Sequence, residues 1–473
     1  MPAQLLALLV LVLALRLPLL WIGLPVTAAE LRALLVGERL HGGALPYRDL
    51  YDGTAPLAAA VFAVLDAVVS RPVWLYRIFA LTLLLAQAVR LNLVLNRYDV
   101  HPERGYVAAL TYLVVGSVST DLDALSPLLL GHTFVVFALS ALLPTSREGY
   151  DNRRLFQAGF LIGVAALCYL PLALFVVVGL FAVVIFAASS FRSSLLLLCG
   201  FFFPYALLAT FFFYVDALPG FVQFHLRPGL TGLGSAAGSV PGAVQLRLLV
   251  AVPGTVLALA LMRALGTSLG LVFQGKFRQL MLVWLLAAAG AAAAGGGVAP
   301  GTLVLLLPSV AYFGLFLWQR TRPRWVPEFV LLLVLAATVV LRYRAWVPGL
   351  ETLLRLPAES RAGLRPDPRY AALRGQSLLV LGPDQRAYLR NRPSTPYLDW
   401  NLAQTDFGQL DEYATLVRIA GHLAPARPHY VLDQAQLLPR LQRLLPSVFG
   451  GYVATGMPDL YQLPPPATPR PRP

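Results

Sequence analysis

The sequence has little charge and almost no cysteine or lysine. Only 13% of its 473 residues are charged, whereas 58% are hydrophobic, which is too apolar for a soluble enzyme. Its two cysteines, Cys168 and Cys199, lie in apolar runs and indicate no disulfide framework. Lys276 is the only lysine, and the net charge of +14 comes from arginines scattered at the ends of apolar runs. Because these arginines form no basic, aromatic-interleaved patch, we expect no nucleic-acid partner.

Long uncharged runs predict an α-helical polytopic membrane protein, since a helix needs about 20 apolar residues to cross a bilayer. The first run lacks the basic start of a secretion signal and is too long for one, so we expect an uncleaved first transmembrane helix. About 11 transmembrane helices within residues 1–343 are predicted, with the lipid bilayer as a partner. The predicted spans are 3–24, 75–95, 105–119, 127–143, 155–172, 173–190, 194–215, 248–265, 279–296, 301–318 and 326–341.

The distribution of arginine predicts the orientation, because short cytoplasmic loops retain Lys and Arg. If the apolar run 55–70 does not cross and the N-terminus is inside, the basic connections such as 97–104, 147–154 and 263–278 lie inside. The connections 120–126 and 297–300, which have no basic residue, and the longer segment 217–247 then lie outside. We therefore predict that 55–70 is a juxtamembrane helix within one long extracytoplasmic loop, 25–74, of a protein of the cytoplasmic membrane.

The segment after the last predicted span is polar. Residues 344–463 contain the short β-like runs 377–382, 429–433 and 452–456, which alternate with helical or turn-rich stretches. This pattern predicts a small extracytoplasmic α/β domain. The proline-rich residues 464–473 are predicted to be a disordered tail.

The first outer loop carries a polar stretch, "GGALPYRDLYDGTAPL", at residues 42–57. Its acids Asp49 and Asp52 are three residues apart in a turn-rich segment, and Glu30 precedes them in an amphipathic helix. A carboxylate near the bilayer surface is able to serve as a general base towards an acceptor hydroxyl. Alternatively, these acids solvate a surface helix and a turn, with Arg48 pairing with one of them.

The second outer loop contains Asp121 and Asp123 with no basic residue beside them. Two carboxylates in a D-x-D arrangement are able to hold a divalent cation, or to order a phosphate through one. The alternative is a short acidic cap at a helix start. His132 begins a predicted helix near the same surface, either as a packed histidine or as a ligand.

The order of these features, with "GG-x-x-PYRD-x-x-D-x-x-x-PL" in the first loop, resembles the GT-C class of membrane glycosyltransferases. The protein mannosyltransferases and aminoarabinose transferases belong to this class. The resemblance implies a polyprenyl-phosphate sugar donor and a glycan, lipid or protein acceptor outside the cytoplasm. It also implies that catalytic acids lie in the first loop and that donor phosphate, with or without a divalent cation, is bound by the second. The residues implied as catalytic are Asp49, Glu30 and Asp52, and Asp121 and Asp123 match the acids implied for phosphate or metal. Arg48 and Arg77 are candidates for the phosphate because a guanidinium binds phosphate through two N–H groups, and His132 is a further candidate from its position.

Two positions depart from the pattern of the class, and they keep other functions open. Ala29 stands where many relatives have the first acid of an Asp-Glu pair, and Thr54 stands where they have a basic residue. A non-catalytic scaffold of the same fold in envelope assembly would suit these departures. A transporter of lipid-linked glycans is less favoured, because few ionisable residues fall mid-membrane and snorkelling explains Arg16 and Arg90.

One geometric expectation follows from the glycosyltransferase hypothesis. Asp49 or Asp52 should line one extracytoplasmic cavity together with the loop that carries Asp121 and Asp123. Arg48 or Arg77 should lie within reach of a phosphate in the same cavity.

Overall fold

The chain folds into a bundle of apolar helices followed by a small α/β unit. Among the described residues of the computed structural model, six helices are long and apolar enough to cross a membrane, which indicates a multi-pass membrane protein. They are Ala3–Ile22, Val73–Arg97, Phe191–Tyr214, Val272–Ala294, Pro300–Trp318 and Trp325–Tyr343. The structure describes residues 2–101, 104–143, 152–186, 191–228, 243–267, 271–297, 299–318, 325–344 and 363–464.

Each predicted span coincides with a helical segment. Within the described residues, six of the eleven are long and apolar enough to cross a membrane. The others coincide with helices whose described apolar part is shorter. The helices of the bundle are α1 (Pro2–Ile22), α2 (Ala28–His41), α3 (Pro56–Val68), α4 (Val73–Arg97), α5 (Val107–Gly116), α6 (Pro127–Leu139), α7 (Asn152–Cys168), α8 (Phe175–Phe186), α9 (Phe191–Tyr214), α10 (Leu218–Phe221), α11 (Ala243–Gly266), α12 (Val272–Ala294), α13 (Leu307–Trp318) and α14 (Trp325–Tyr343), with 3₁₀ turns at Thr120–Asp123, Leu170–Leu174 and Pro300–Leu306 and a π turn at Val222–Leu226.

Helix α3 covers most of the run 55–70, which was predicted not to cross. Its 13 residues extend about 20 Å, which is shorter than the hydrocarbon core of a bilayer. Helix α6, which was predicted to cross, has the same length, so helix length does not test the prediction for 55–70. It packs closely on α2, because a Cβ at Gly37 would lie 2.7 Å from the carbonyl oxygen of Phe62. The Tyr76 hydroxyl also donates a hydrogen bond to that oxygen, which ties α4 to α3.

The connections predicted to share a side of the membrane lie at the same end of the bundle. The ring of Tyr51, in the first loop, lies 4.9 Å from that of Phe224, and Gly301 lies beside Asp121. At the other end of α4, Gln274 Nε2 donates to the carbonyl oxygen of Asp99. The loops predicted to be outside therefore meet at one end, and connections predicted to be inside meet at the other.

The C-terminal unit is built on a five-stranded mixed sheet. In spatial order its strands are β4 (Arg392–Pro393), β3 (Ser377–Leu381), β5 (Tyr430–Asp433), β7 (Leu460–Gln462) and β6 (Val453–Ala454). Strands β3 and β5 are parallel, whereas β7 is antiparallel to both of its neighbours. The predicted runs 377–382, 429–433 and 452–456 correspond to β3, β5 and β6, but two short strands, β4 and β7, were missed. The other elements of the unit are the short strand β2 (Gly363–Leu364) and the helices α15 (Trp400–Phe407), α16 (Tyr413–Leu423), α17 (Leu438–Leu444) and α18 (Pro446–Phe449), with 3₁₀ turns at Pro368–Leu373 and Gln385–Leu389.

The first loop joins the C-terminal unit through backbone pairing. Strand β1 (Val26–Thr27) pairs with β2 in antiparallel fashion, with Val26 opposite Leu364. Further along the loop, the Tyr51 amide donates to the carbonyl oxygen of Pro396 over 2.9 Å. The predicted tail, apart from its first residue, lies outside the described residues.

Candidate functional site

A cavity of about 600 Å³ lies where the end of the helix bundle meets the C-terminal unit. Its walls combine apolar residues with both acids and arginines. The bundle supplies the α1–α2 connection, the first turns of α2 and α4, and the 3₁₀ turn before α6. The lining residues are Gly23, Leu24, Pro25, Val26, Thr27, Glu30, Arg77, Thr120, Asp121, Asp123, Ala124, Gly363, Leu364, Arg365, Pro366, Leu389 and Arg390.

Glu30 and Arg77 form a bidentate ion pair in the cavity wall. Arg77 Nε donates to Glu30 Oε1 over 3.0 Å, and Arg77 Nη2 donates to Glu30 Oε2 over 3.1 Å. Thr27 caps α2 by accepting a hydrogen bond from the Glu30 amide, so the acid is fixed in the first turn of that helix. Glu30 is only 2% exposed. The pair therefore fastens α2 to α4, and both carboxylate oxygens already accept strong hydrogen bonds.

Asp123 is held between two buried arginines. Its Oδ1 accepts from Arg16 Nη1 over 2.8 Å, and its Oδ2 accepts from Arg342 Nη2 over 2.6 Å. Arg16 also donates to the carbonyl oxygens of Gly116 and Leu122. Arginines of α1 and α14 thus satisfy acceptors left over where α5 ends. Arg16 was predicted to snorkel, and this is wrong because its side chain is fully buried at this junction.

The two aspartates of the D-x-D sequence, which were predicted to hold a divalent cation or to order a phosphate, do not share one environment. Asp123 directs each of its oxygens at an arginine, so it has no oxygen directed at a metal ion. Within the described residues, no group of three or more His, Cys, Asp or Glu side chains is placed to hold a metal ion. The described lining combines ion-paired carboxylates with arginines of the chain itself.

Asp121 has a different environment from Asp123, although only one residue separates them. Its backbone amide donates to Ser119 Oγ, which fixes the start of the 3₁₀ turn, while the residue is exposed at the cavity. Three carboxylates of the described residues line the cavity, and of these three Asp121 is the exposed one. It is therefore the acid that a bound molecule meets most directly.

Two exposed arginines of the C-terminal unit complete the lining, and the sequence analysis missed both. Arg365 follows β2, and Arg390 follows the 3₁₀ turn that precedes β4. In the part of the chain that the structure describes, neither forms an ion pair. A guanidinium binds phosphate oxygens through two parallel N–H groups, so these residues are suited to a phosphate. Sequence carried no signal for them, because the two-residue pairing of β1 with β2 that brings Arg365 to the cavity has no pattern of its own.

The acids of residues 42–57 do not line this cavity, contrary to the expectation. Asp49 accepts from Arg48 Nε over 3.0 Å and from the Leu45 amide over 2.9 Å. Partial burial would raise the pKa of Asp49, but these hydrogen bonds hold it below its usual value. Arg48 is half-exposed, and its Nη1 points to the carbonyl oxygen of Val215. This pair closes a turn and lies beside the segment after α9.

Asp52 is buried and supports the turn that follows Asp49. Its Oδ1 accepts from the Thr54 amide over 2.7 Å, and Oδ2 has no hydrogen-bond partner among the described residues. Burial raises the pKa of Asp52, and the charge of nearby Arg32 opposes that shift. Arg32 in turn pairs with Asp399 of the C-terminal unit over 2.9 Å. Asp52 therefore belongs to the contact between the loop and the C-terminal unit.

His132 lies inside the helix bundle and does not line the cavity. Its ring is fully buried in α6, with Nδ1 3.1 Å from Gln87 Oε1. Its ring also lies 6.1 Å from that of Trp284. The prediction that it binds donor phosphate is not supported, and the alternative of a packed histidine describes the contacts.

Comparison of the chain with models of protein families, with curated proteins and with solved structures finds no match.

Proposed function

We propose that this protein is a membrane glycosyltransferase that takes a sugar from a polyprenyl-phosphate donor and transfers it to an acceptor outside the cytoplasm. One observation carries the proposal. A single cavity at the membrane end of the C-terminal unit combines an apolar wall, an exposed carboxylate and two arginines that form no ion pair within the described residues. A lipid-linked phosphate needs each of these, because its chain is apolar, its phosphate is anionic and its transfer needs a proton acceptor.

The roles follow from the positions of the residues. Leu24, Val26 and Leu364 offer apolar surface for the first isoprene units, and Arg365 and Arg390 face the phosphate. Asp121 accepts the proton of the acceptor hydroxyl as that oxygen attacks the anomeric carbon of the sugar. The bond from the anomeric carbon to the phosphate oxygen then breaks, and the departing polyprenyl phosphate keeps the electron pair beside the arginines.

The proposed base is Asp121, and it replaces the acids of the first loop in that role. Glu30 is committed to Arg77, and Asp49 and Asp52 lie in the turn that contacts the C-terminal unit. Asp121 has the exposure that the reaction needs. We therefore assign the base to Asp121 and the support of the cavity wall to the Glu30–Arg77 pair.

The proposal includes the orientation derived from the arginine distribution: about eleven crossings of the cytoplasmic membrane, an inside N-terminus and an extracytoplasmic C-terminal unit. Reporter fusions after residues 150 and 420 test it. We expect the first to be active only in the cytoplasm and the second only outside. A cytoplasmic reporter at 420 would place the cavity on the wrong side for a polyprenyl-phosphate sugar.

The function is tested with purified protein in phosphatidylcholine nanodiscs. Native mass spectrometry should detect bound polyprenyl phosphate, and Arg365→Gln should reduce its occupancy. The matched control is Arg443→Gln, which changes an exposed arginine of the C-terminal unit that lies away from the cavity. Absence of polyprenyl-phosphate binding, or equal loss in the control, would contradict the proposal.

Transfer is tested separately with a panel of polyprenyl-phosphate sugars and a membrane extract as the source of acceptor. General-base assistance contributes about 10²–10⁴-fold, so Asp121→Asn should lower the transfer rate by at least about 10²-fold while polyprenyl phosphate still binds. Binding without transfer in the wild type would favour a lipid-binding scaffold, to which the occupied carboxylates of Glu30 and Asp123 are also suited.

A further inference from the structure

A second concave site lies beside the cavity and is dominated by arginine. It has a volume of about 400 Å³ and shares Leu389 and Arg390 with the rim of the larger cavity. We call it the arginine depression. Its lining residues are Glu38, Ser70, Arg71, Arg374, Gly375, Leu389, Arg390 and Arg392.

The arginines are brought together by the edge of the C-terminal sheet. Strand β4 runs parallel to β3, with Arg392 opposite Ser377, so the starts of both strands lie side by side. The Gly375 amide donates to the carbonyl oxygen of Arg390 over 3.0 Å, which joins the turn before β3 to the turn before β4. Gly375 has a φ of +80°, a left-handed conformation that favours glycine. Arg374, Arg390 and Arg392 therefore stand on one rigid edge.

Arg71 lines the depression, and its guanidinium is already paired with Glu38. Its guanidinium donates to Glu38 Oε2 over 2.8 and 2.6 Å and to the carbonyl oxygens of Tyr388 and Asn391 over 2.7 Å. It thereby neutralises Glu38 and fastens the first loop to the sheet edge. This pair contributes structure, and apart from the contact of Arg392 with Glu38 the described residues give the three remaining arginines no ion pair.

The other three arginines are exposed and have little opposing charge. Arg374 and Arg390 form no ion pair within the described residues, and Arg392 is 76% exposed with its Nε 3.8 Å from Glu38 Oε1. Three guanidinium groups around one concavity create a positive potential that attracts an anion. Leu389 is the one large apolar side chain among the lining residues that the structure describes here. The site is therefore suited to a water-soluble anion and offers little to an acyl or isoprenoid chain.

We propose that the arginine depression binds a phosphate or carboxylate group of the acceptor and that the acceptor is an anionic glycan. The role as acceptor site and the choice of a saccharide rest on the proposed function, whereas the binding of a phosphate or carboxylate group does not. The shared rim places this group next to the cavity in which the donor sugar would lie. An acceptor held there presents its neighbouring hydroxyl to Asp121 from the side of the C-terminal unit.

The test uses full-length protein in phosphatidylcholine nanodiscs and equilibrium dialysis of radiolabelled mannose 6-phosphate, glucuronate and neutral mannose. We expect saturable binding of one or both anions and none of mannose. An exposed charge pair contributes up to about 1 kcal/mol, which is about fivefold in affinity. Arg374→Gln and Arg392→Gln should therefore each weaken anion binding about fivefold, and Arg443→Gln should leave it unchanged. Binding should also weaken as salt is added.

The two sites are separated by exchanging the variants. Arg365→Gln affects only the cavity, and Arg374→Gln affects only the depression. Polyprenyl-phosphate occupancy should fall in the first variant, and anionic-saccharide affinity should fall in the second. The depression proposal is overturned by absence of saturable anion binding, by equal binding of mannose, or by anion binding that Arg374→Gln and Arg392→Gln leave intact. It is also overturned if these variants instead lose retention of phosphatidylglycerol in mixed nanodiscs, because the site would then belong to a lipid headgroup. If the wild-type protein binds the anions but does not bind polyprenyl phosphate, that result counts against the proposed function and leaves anion binding at the depression standing.

Discussion

Residues 42–57 and residues 120–123 both place aspartates at the same end of the bundle, but they use them differently. In the first segment, Asp49 and Asp52 accept hydrogen bonds from their own turn, and Tyr51 pairs with the C-terminal unit. In the second, Asp123 is held by two buried arginines while Asp121 is exposed at a cavity. A concentration of polar residues in an apolar chain thus marks a place where the backbone leaves the helices. Whether those residues fold a turn, join two units or face a ligand depends on their partners.

The largest effect on stability is expected for a substitution of Asp123. Asp123→Ala leaves two buried guanidinium groups without their shared carboxylate, and breaking a buried pair costs about 3–5 kcal/mol. The free energy of unfolding in an SDS titration of detergent-solubilised protein measures this loss. Asp121→Ala, two residues away and exposed, is the matched control and should change stability little. Equal stability of the two variants would show that the arginines do not depend on Asp123.

Tyr51 tests whether residues 42–57 join the two units. Its ring lies within 5.0 Å of the rings of Phe224, Tyr397 and His422. Because Tyr51 is half-buried, Tyr51→Ala should cost about 2 kcal/mol, somewhat less than for a fully buried aromatic residue. Limited proteolysis should release the C-terminal unit faster than in the wild type. Tyr413→Ala, which removes a tyrosine that is 81% exposed, is the control, and equal protection of all three proteins would argue against a docking role.

The sequence predicted the position of the site better than its chemistry. Apolar runs and the arginine distribution are sufficient to place loops 25–74 and 120–126 at one end, because helix length and loop charge are local properties. Glu30, Arg77, Asp121 and Asp123 do line one cavity. The contribution of the C-terminal unit depends on the short β1–β2 pairing between residues more than 300 positions apart, which local patterns do not encode.

One missed contact did have a signal in the sequence. Arg16 falls inside an otherwise apolar span, and an ionisable residue in such a span commonly pairs with another or with backbone carbonyls. This rule predicts a partner for Arg16 inside the protein, and Asp123 is that partner. The carboxylate is the natural candidate because the second loop has no basic residue of its own.

The smallest expected effect concerns Asp52, and its sign separates it from Asp49. Burial raises the pKa of Asp52, so the folded protein holds a proton there more tightly than the unfolded chain does. The free energy of unfolding therefore contains a contribution from Asp52 that grows as the pH falls from the raised pKa towards the ordinary aspartate value. Asp52→Asn is neutral at every pH and keeps an oxygen that accepts from the Thr54 amide. At pH 7 it should match or exceed the stability of the wild type, by no more than about 1 kcal/mol, and this advantage should shrink towards pH 4.

For Asp49 the pKa is lowered, so Asp49→Asn should lose stability at pH 7, and that loss should shrink as the pH falls through the ordinary aspartate range. Unfolding titrations of the three proteins between pH 4 and pH 7 distinguish the two signs. A loss of stability at pH 7 in Asp52→Asn would show instead that the attraction of Arg32 outweighs the burial of the carboxylate.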